Sequence, residues 1–193
     1  MSDEQPVLTT EQKELLYLIA RLTDSLNCPT SWIKETPLQA LIFHGIRKGL
    51  FNEYDYAPIS TSFLGQGRKF VNISKECEDD LGDLRELGLL ETIRVSSEKH
   101  DYITGYRPTK DSVNVIKSLE NDIRNRVDTL FQCPFCKSPN YNLNINVENS
   151  AFIMKCADCK YVENIPLIIP EDVSYNTQPY FFPFLIKKDT KEQ

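Results

Sequence analysis

Apolar residues recur three and four positions apart in the first part of the chain. Leu15, Ile19, Leu22 and Leu26 share one helical face, and Thr9 with Gln12 makes a capping box in front of them. The spacing predicts a helix over 10–26. Thr36 and Gln39 form a second capping box, with Pro37 at the first helical position and Leu38, Leu41, Ile42 and Ile46 behind it. Gly49 is placed to stop that helix. Residues 57–73 show no clear period, and Gly65-Gln66-Gly67 reads as a loop. Ser74 then caps a third helix, with Cys77, Leu81, Leu84 and Leu87 on one face and Gly88 at its end. Gly82 sits inside it, against helix propensity. Leu89 to Val95 reads as a strand, Ser96 to Asp101 as a polar turn, and Tyr102 to Arg107 as a returning strand that stops at Pro108. Helices followed by a terminal hairpin describe a winged helix. Residues 75–88 would be its recognition helix and 89–107 its wing.

Beyond Thr109, a candidate cap, Val113, Ile116, Leu119, Ile123, Val127 and Leu130 again follow helical spacing. They predict one connecting helix over 109–131. Its apolar face either packs on its own domain or forms a homodimer seam. About three heptads is short for a coiled coil.

The last third carries the chemistry. Cys133-Pro134-Phe135-Cys136 and Cys156-Ala157-Asp158-Cys159 are two CxxC pairs, with nineteen residues between Cys136 and Cys156. That spacing falls in the range of four-cysteine zinc sites. Each pair can turn two sulfurs toward one point, and two pairs supply four thiolates for a tetrahedron. Between them Tyr141 to Val147 alternates as a strand, Glu148-Asn149-Ser150 is a turn, and Ala151 to Lys155 returns. A third strand fits within Tyr161 to Ile169. This predicts a zinc ribbon with one structural zinc per chain on Cys133, Cys136, Cys156 and Cys159. Four thiolates leave the metal no open position, so no catalysis is expected there. A redox role would need a CxxC at a helix start, whereas both pairs here precede strands.

Composition narrows the picture without changing it. The 193 residues are 40% hydrophobic and 26% charged, which is a globular mix, and the net charge is −6. An acidic chain lacks the overall footprint of a nucleic-acid binder. Two histidines make most triads and histidine-rich metal sites hard to build. No apolar run is long enough to span a membrane. The polar start of the chain does not read as a signal peptide, so a reducing cytoplasmic or nuclear setting is expected, with the cysteines as thiols or ligands. Cys28 and Cys77 read as small core residues, Trp32 as packing between the first two helices, and His44 as a core or surface histidine. His100 falls at the wing tip. Asp79 and Asp80 read as a solvated face. From Pro170 the chain carries Tyr175, Tyr180, Phe181, Phe182, Phe184, Leu185 and Ile186, interrupted by Pro179 and Pro183. That tail either folds back or docks on a partner.

The expected organisation is α+β: a winged helix over 1–108, a connecting helix over 109–131, a zinc ribbon over 132–169 and an aromatic tail over 170–193. A winged helix, a long helix and a four-cysteine ribbon in that order resemble the general transcription factor E family, meaning the archaeal factor and the alpha subunit of its eukaryotic counterpart. The resemblance spans roughly 10–169, and its specific residues are Cys133, Cys136, Cys156 and Cys159. It implies an accessory factor that touches a polymerase or promoter complex through protein contacts, without catalysis. The alternative is a regulator that reads DNA with its winged helix. Against that, 75–88 carries Glu76, Glu78, Asp79, Asp80, Asp83 and Glu86 against Lys75 and Arg85. Phosphate contact needs the opposite sign, so a protein partner is expected and any nucleic-acid binding should be weak.

Overall fold

The computed structural model describes residues 7–23, 31–62, 68–97, 100–146 and 151–166. Cys28, Gly65, Gly67, the 148–150 turn, the tail from 170 and the side chain of His100 lie outside the described residues. The fold is mixed α+β, with five α-helices and eight strands among the described residues. No helix there is long and apolar enough to cross a membrane.

Helix α1 (Thr10–Leu22) starts as its capping box dictates. The Gln12 N–H donates to Thr9 Oγ1 and the Thr9 N–H donates to Gln12 Oε1, each at 3.1 Å. Leu15, Leu16, Leu18 and Ile19 are fully buried, which makes α1 the central helix of the main core. Strand β1 (Ile33–Lys34) leads directly into α2 (Glu35–Ile46). The capping box expected at Thr36 and Gln39 does not form. Pairing of β1 ends at Lys34, and the chain turns at once into the helix, so Thr36 and Pro37 fall inside its first turn. Pro37 is tolerated there because its missing N–H would have no partner. Gln39 Oε1 instead accepts the Ser74 N–H at 3.3 Å. Gly49 closes α2 with φ +82°, and the Leu50 N–H reaches back to the Gly45 carbonyl at 3.1 Å.

Two strands arise where the pattern of residues shows no clear period. β2 (Ala57–Ser62) and β3 (Arg68–Ile73) pair antiparallel, with Ile59 opposite Val71. Their apolar positions are sparse because little of the hairpin is buried. Val71 reaches the core, while Phe70 and Ile59 are 41% and 45% exposed.

Ser74 caps α3 (Lys75–Glu86) by accepting the Cys77 N–H at 3.2 Å. Replacing Ser74 with alanine should lower stability by about 1 kcal/mol, the ordinary worth of such a cap. Thermal melting followed by circular dichroism would read this as a drop of a few degrees. Gly88, at φ +71°, ends the helix, and the Leu89 N–H bonds the Leu84 carbonyl at 2.9 Å. The chain then enters β4 (Leu90–Ser97) and β5 (His100–Pro108). These pair antiparallel, and β1 adds to β5, so the sheet order is β1-β5-β4. Trp32 is half-buried just before β1, with the Arg107 guanidinium 4.3 Å above its ring.

The single helix expected over 109–131 is broken. Helices α4 (Ser112–Ser118) and α5 (Asn121–Asp128), followed by a 3₁₀ turn at Thr129–Phe131, take its place. Leu119 and Glu120 are extended, both at φ −58° and ψ 144°. No proline or glycine breaks this stretch; the break is tertiary. It turns the chain so that α4 and α5 both lie against α1. Tyr17 and Arg21 hold Asp128 at 3.1 and 3.0 Å, and Lys13 holds Glu120 at 2.8 Å. The N-cap position of α4 is Asp111, with no side-chain cap, and not Thr109 as expected; Thr109 Oγ1 accepts the Ser112 N–H at 3.2 Å from outside the helix. Ile116, Leu119, Ile123, Val127 and Leu130 are all buried within the chain. Five of the six apolar positions proposed for a homodimer seam are therefore already covered, and Val113 is half-buried.

The last described elements are β6 (Tyr141–Asn146), β7 (Ala151–Cys156) and β8 (Val162–Pro166), an antiparallel sheet in the order β6-β7-β8. Its Tyr141, Phe152, Met154 and Ile165 form a second apolar cluster with Ala40 and Leu41 of α2 and Val71 of β3. Meanwhile Leu38, Ile42 and Phe43 of α2 point into the main core. That explains why α2 is apolar nearly all round: it is clamped between two cores.

Candidate metal centre

The two CxxC pairs fold as matching turns. In the first, the Cys133 N–H bonds the Ser138 carbonyl at 2.9 Å, five residues ahead. In the second, the Cys156 N–H bonds the Tyr161 carbonyl at 2.9 Å, also five ahead. The residue after each pair is a lysine in the left-handed region, Lys137 at φ 61° and Lys160 at φ 64°. A lysine there costs local strain that glycine would avoid. Asp158 ties the turns together, accepting from Ser138 Oγ and from Asn140 Nδ2 at 3.2 Å. Those bonds, Ser138 first, hold its carboxyl below the usual carboxylate range. The Ala157 N–H adds a bond to the Asn140 carbonyl at 2.9 Å.

These turns bring all four predicted ligands to one point. The Sγ atoms of Cys133, Cys136, Cys156 and Cys159 lie within 4.8 Å of one another. The short separations run between turns, 3.5 Å for Cys133–Cys159 and 3.6 Å for Cys136–Cys156. Four sulfurs at 2.3 Å from a central ion would be about 3.8 Å apart, the edge of a regular tetrahedron. A disulfide needs about 2.0 Å. The set is thus sized for a metal ion and not for sulfur–sulfur bonds. Cys133 and Cys156 are fully buried in the second cluster, Cys159 is half-buried and Cys136 is exposed.

Protonation favours the same reading. Burial resists ionisation of Cys133, but the Cys136 and Phe135 N–H groups and the Cys159 and Cys136 sulfurs together outweigh it and bring the thiol to about 7. Cys159 accepts the Tyr161 N–H, which lowers it. Burial and its three sulfur neighbours nonetheless push it up to about 12. Cys159 keeps its proton at neutral pH unaided, and a divalent cation supplies the charge that would remove it.

One feature of this region has no local sequence signal. The Tyr141 hydroxyl donates to Glu163 Oε2 at 2.9 Å, and His44 Nδ1 of α2 lies 3.9 Å from Glu163 Oε1. His44 is buried, and among the described residues neither ring nitrogen has a hydrogen-bond partner. Burial first, then Lys48, lowers its pKa to about 4, so it is neutral at physiological pH. It lies beside β8, more than a hundred residues away in sequence. Cys77 is buried among apolar groups, and desolvation raises its thiol well above the usual range, which makes it an inert core residue.

The acidic helix is only partly a solvated face. Asp79 is exposed and pairs with Lys75 at 2.9 Å. Asp80 instead accepts from the Tyr54 hydroxyl at 2.6 Å and from Gln12 Nε2 at 2.9 Å. Glu76 accepts from Ser74 Oγ at 2.9 Å and from the Asp55 N–H at 3.3 Å. Asp83 accepts from the same Gln12 Nε2 at 3.4 Å, so three of the six acids join α3 to neighbouring segments.

The fold and the cluster define an α+β protein with a four-cysteine candidate metal site near its C-terminal end. Residues 11–164 match the family described as the Uncharacterized protein MJ1567 family, and the chain belongs to that family. A comparison with curated proteins finds no match.

Proposed function

We propose that this protein is a zinc-binding adaptor that works through protein contacts and carries no catalytic centre. The observation that carries the reading is the cysteine cluster. Four converging sulfurs, two of them buried in an apolar cluster, suit a four-coordinate zinc that has no position left for water or substrate. Zinc on Cys133, Cys136, Cys156 and Cys159 would fix the C-terminal sheet as a zinc ribbon.

The N-terminal part is read as a winged helix with an added hairpin. Support comes from its order: α1, β1, α2, then α3 and the β4–β5 hairpin, with β1 bonded to β5 and β2–β3 inserted before α3. Together with the ribbon, this supports the resemblance to the transcription factor E family and hence an accessory role in transcription. Helix α3 argues against duplex reading, since its six acids and two bases repel phosphate. We expect no sequence-specific duplex binding at physiological salt in a gel-shift assay. Co-elution of the full-length, metal-loaded chain with purified RNA polymerase in size-exclusion chromatography tests the transcription role. Failure to co-elute would reject that role, and tight sequence-selective duplex binding lost on changing Asp79 and Glu86 would favour the DNA-reading alternative.

A further inference from the structure

Helix α3 contains a glycine that its own fold does not need. A Cβ added at Gly82 meets nothing within 4 Å, and its φ is not of the kind that demands glycine. Glycine inside a helix is nevertheless disfavoured against alanine. Residues of this kind are used where something must approach the backbone closely. Gly82 lines a cleft of about 300 Å³ between α3, the β4–β5 hairpin and the start of α2.

The cleft carries charges of both signs that do not satisfy each other. Glu35 and Glu78 line it, and so do Arg85 and Arg94. Neither arginine makes an ion pair among the described residues. Glu35 accepts from the Tyr106 hydroxyl at 3.4 Å, and Lys75 is 3.8 Å from Glu78 at the exposed edge. Burial, and then the nearby Glu35, raise the Glu78 carboxyl above its ordinary range. A cation placed between the two carboxylates would relieve that repulsion.

Glu78, Leu81, Gly82 and Arg85 form one stripe along α3, at spacings of three and four residues. From Glu78 to Arg85 it runs about 10 Å, at 1.5 Å per residue. An acid heads the stripe, a base ends it, and between them is a floor of one leucine and one bare glycine. We propose that this cleft binds a basic residue that also bears a free carboxylate: a polypeptide ending in arginine or lysine, or the free amino acid. The ligand's cation sits at Glu35 and Glu78, its carboxylate is held by an arginine of the cleft, and its methylene stem lies over Leu81 and Gly82. Such stems pack well along apolar surface while their charged ends stay paired.

Nitrogen-15 NMR of the full-length chain, titrated with Nα-acetyl-L-arginine, tests this. Saturable shifts are expected in 78–85, 92–94 and 104–106 at millimolar ligand. Nα-acetyl-L-argininamide, which lacks the carboxylate, and Nα-acetyl-L-norleucine, which lacks the cation, should each bind about tenfold or more weakly. Free L-arginine separates the two sources: tighter binding than the acetylated form marks an amino-acid site, and weaker binding marks a polypeptide terminus. Gly82→Ala should raise the melting temperature, because the methyl group fits and helix propensity improves. The same change should weaken Nα-acetyl-L-arginine by about tenfold, since the methyl fills the floor. Arg85→Met should remove the preference for the carboxylate over the amide. No saturable shifts in the cleft, equal affinity for the three acetylated ligands, or a Gly82→Ala variant that binds as tightly as the wild type would each overturn the proposal.

Discussion

Replacing Cys156 with serine, or stripping the metal with a chelator, should unfold the C-terminal sheet and also weaken the helical core it rests on. Cys156 is fully buried and its Sγ lies 3.6 Å from that of Cys136. Metal binding in comparable four-ligand sites contributes roughly 10–16 kcal/mol, more than a sheet of three short strands can gain from its own apolar contacts. From the sequence, damage confined to 132–169 would be expected. The second apolar cluster changes that outcome. Ala40 and Leu41 of α2 and Val71 of β3 are covered by Phe152, Met154 and Ile165. Losing the sheet would expose them, at about 1.5–3 kcal/mol for each large side chain returned to water. Elemental analysis should find one zinc per chain in the wild type and none in Cys156→Ser. Calorimetry should find a lower melting temperature for α1–α3, and not merely the loss of one transition. Zinc-free wild type with an unchanged melting profile would contradict this.

The second large effect concerns a buried acid that no motif announces. Glu14 has no exposed surface. It accepts the Phe51 N–H at 3.0 Å, and Arg126 Nη1 of α5 lies 2.9 Å from its other oxygen. Phe51 sits in the left-handed region at φ 50°, so its N–H is aimed at Glu14 by a turn that side chains rarely adopt. Arg126→Met would leave a buried carboxylate without its cation. Full burial of both partners would make that cost 3–5 kcal/mol, and the partial exposure of Arg126 (37%) reduces it to about 2 kcal/mol. The loss should depend on pH. Burial raises the Glu14 carboxyl above its ordinary 4.5, against the opposing pull of the Phe51 N–H and Arg126. The folded protein therefore holds that proton more tightly than the unfolded chain. The contribution of Glu14 is greatest below about pH 4.5 and declines as pH rises through the higher folded value. Removing Arg126 steepens the decline, so the deficit of Arg126→Met should be largest near pH 7 and shrink toward pH 4. Urea unfolding of both proteins across that range would show it. A deficit independent of pH would mean that Arg126 acts through packing alone.

Elements whose signal is local were legible in the sequence. Thr9 and Gln12 start α1, Ser74 starts α3, and Gly49 and Gly88 end the helices before them, because caps act within a few residues. The β4–β5 hairpin and the three strands after Cys136 follow from alternation and turn residues. The convergence of Cys133, Cys136, Cys156 and Cys159 was equally plain, since two CxxC turns at that spacing have few other ways to place their sulfurs.

What tertiary structure decided lies where distant segments compete. Spacing alone made 109–131 one helix, yet contact with α1 broke it at Leu119 and Glu120. The Thr36–Gln39 box was locally sound and lost to β1, whose pairing with β5 fixed the helix start at Glu35. Asp80 looked like one more surface acid, until Tyr54 and Gln12 arrived from other segments to bond it. The two faces of α2, the Glu14–Arg126 pair and the opening over Gly82 each join residues far apart along the chain. The sequence by itself determined which short stretches could be helix, strand or metal turn, because those energies are settled among neighbours. Which faces those elements would bury, and against what, depended on contacts that exist only once the chain has closed on itself.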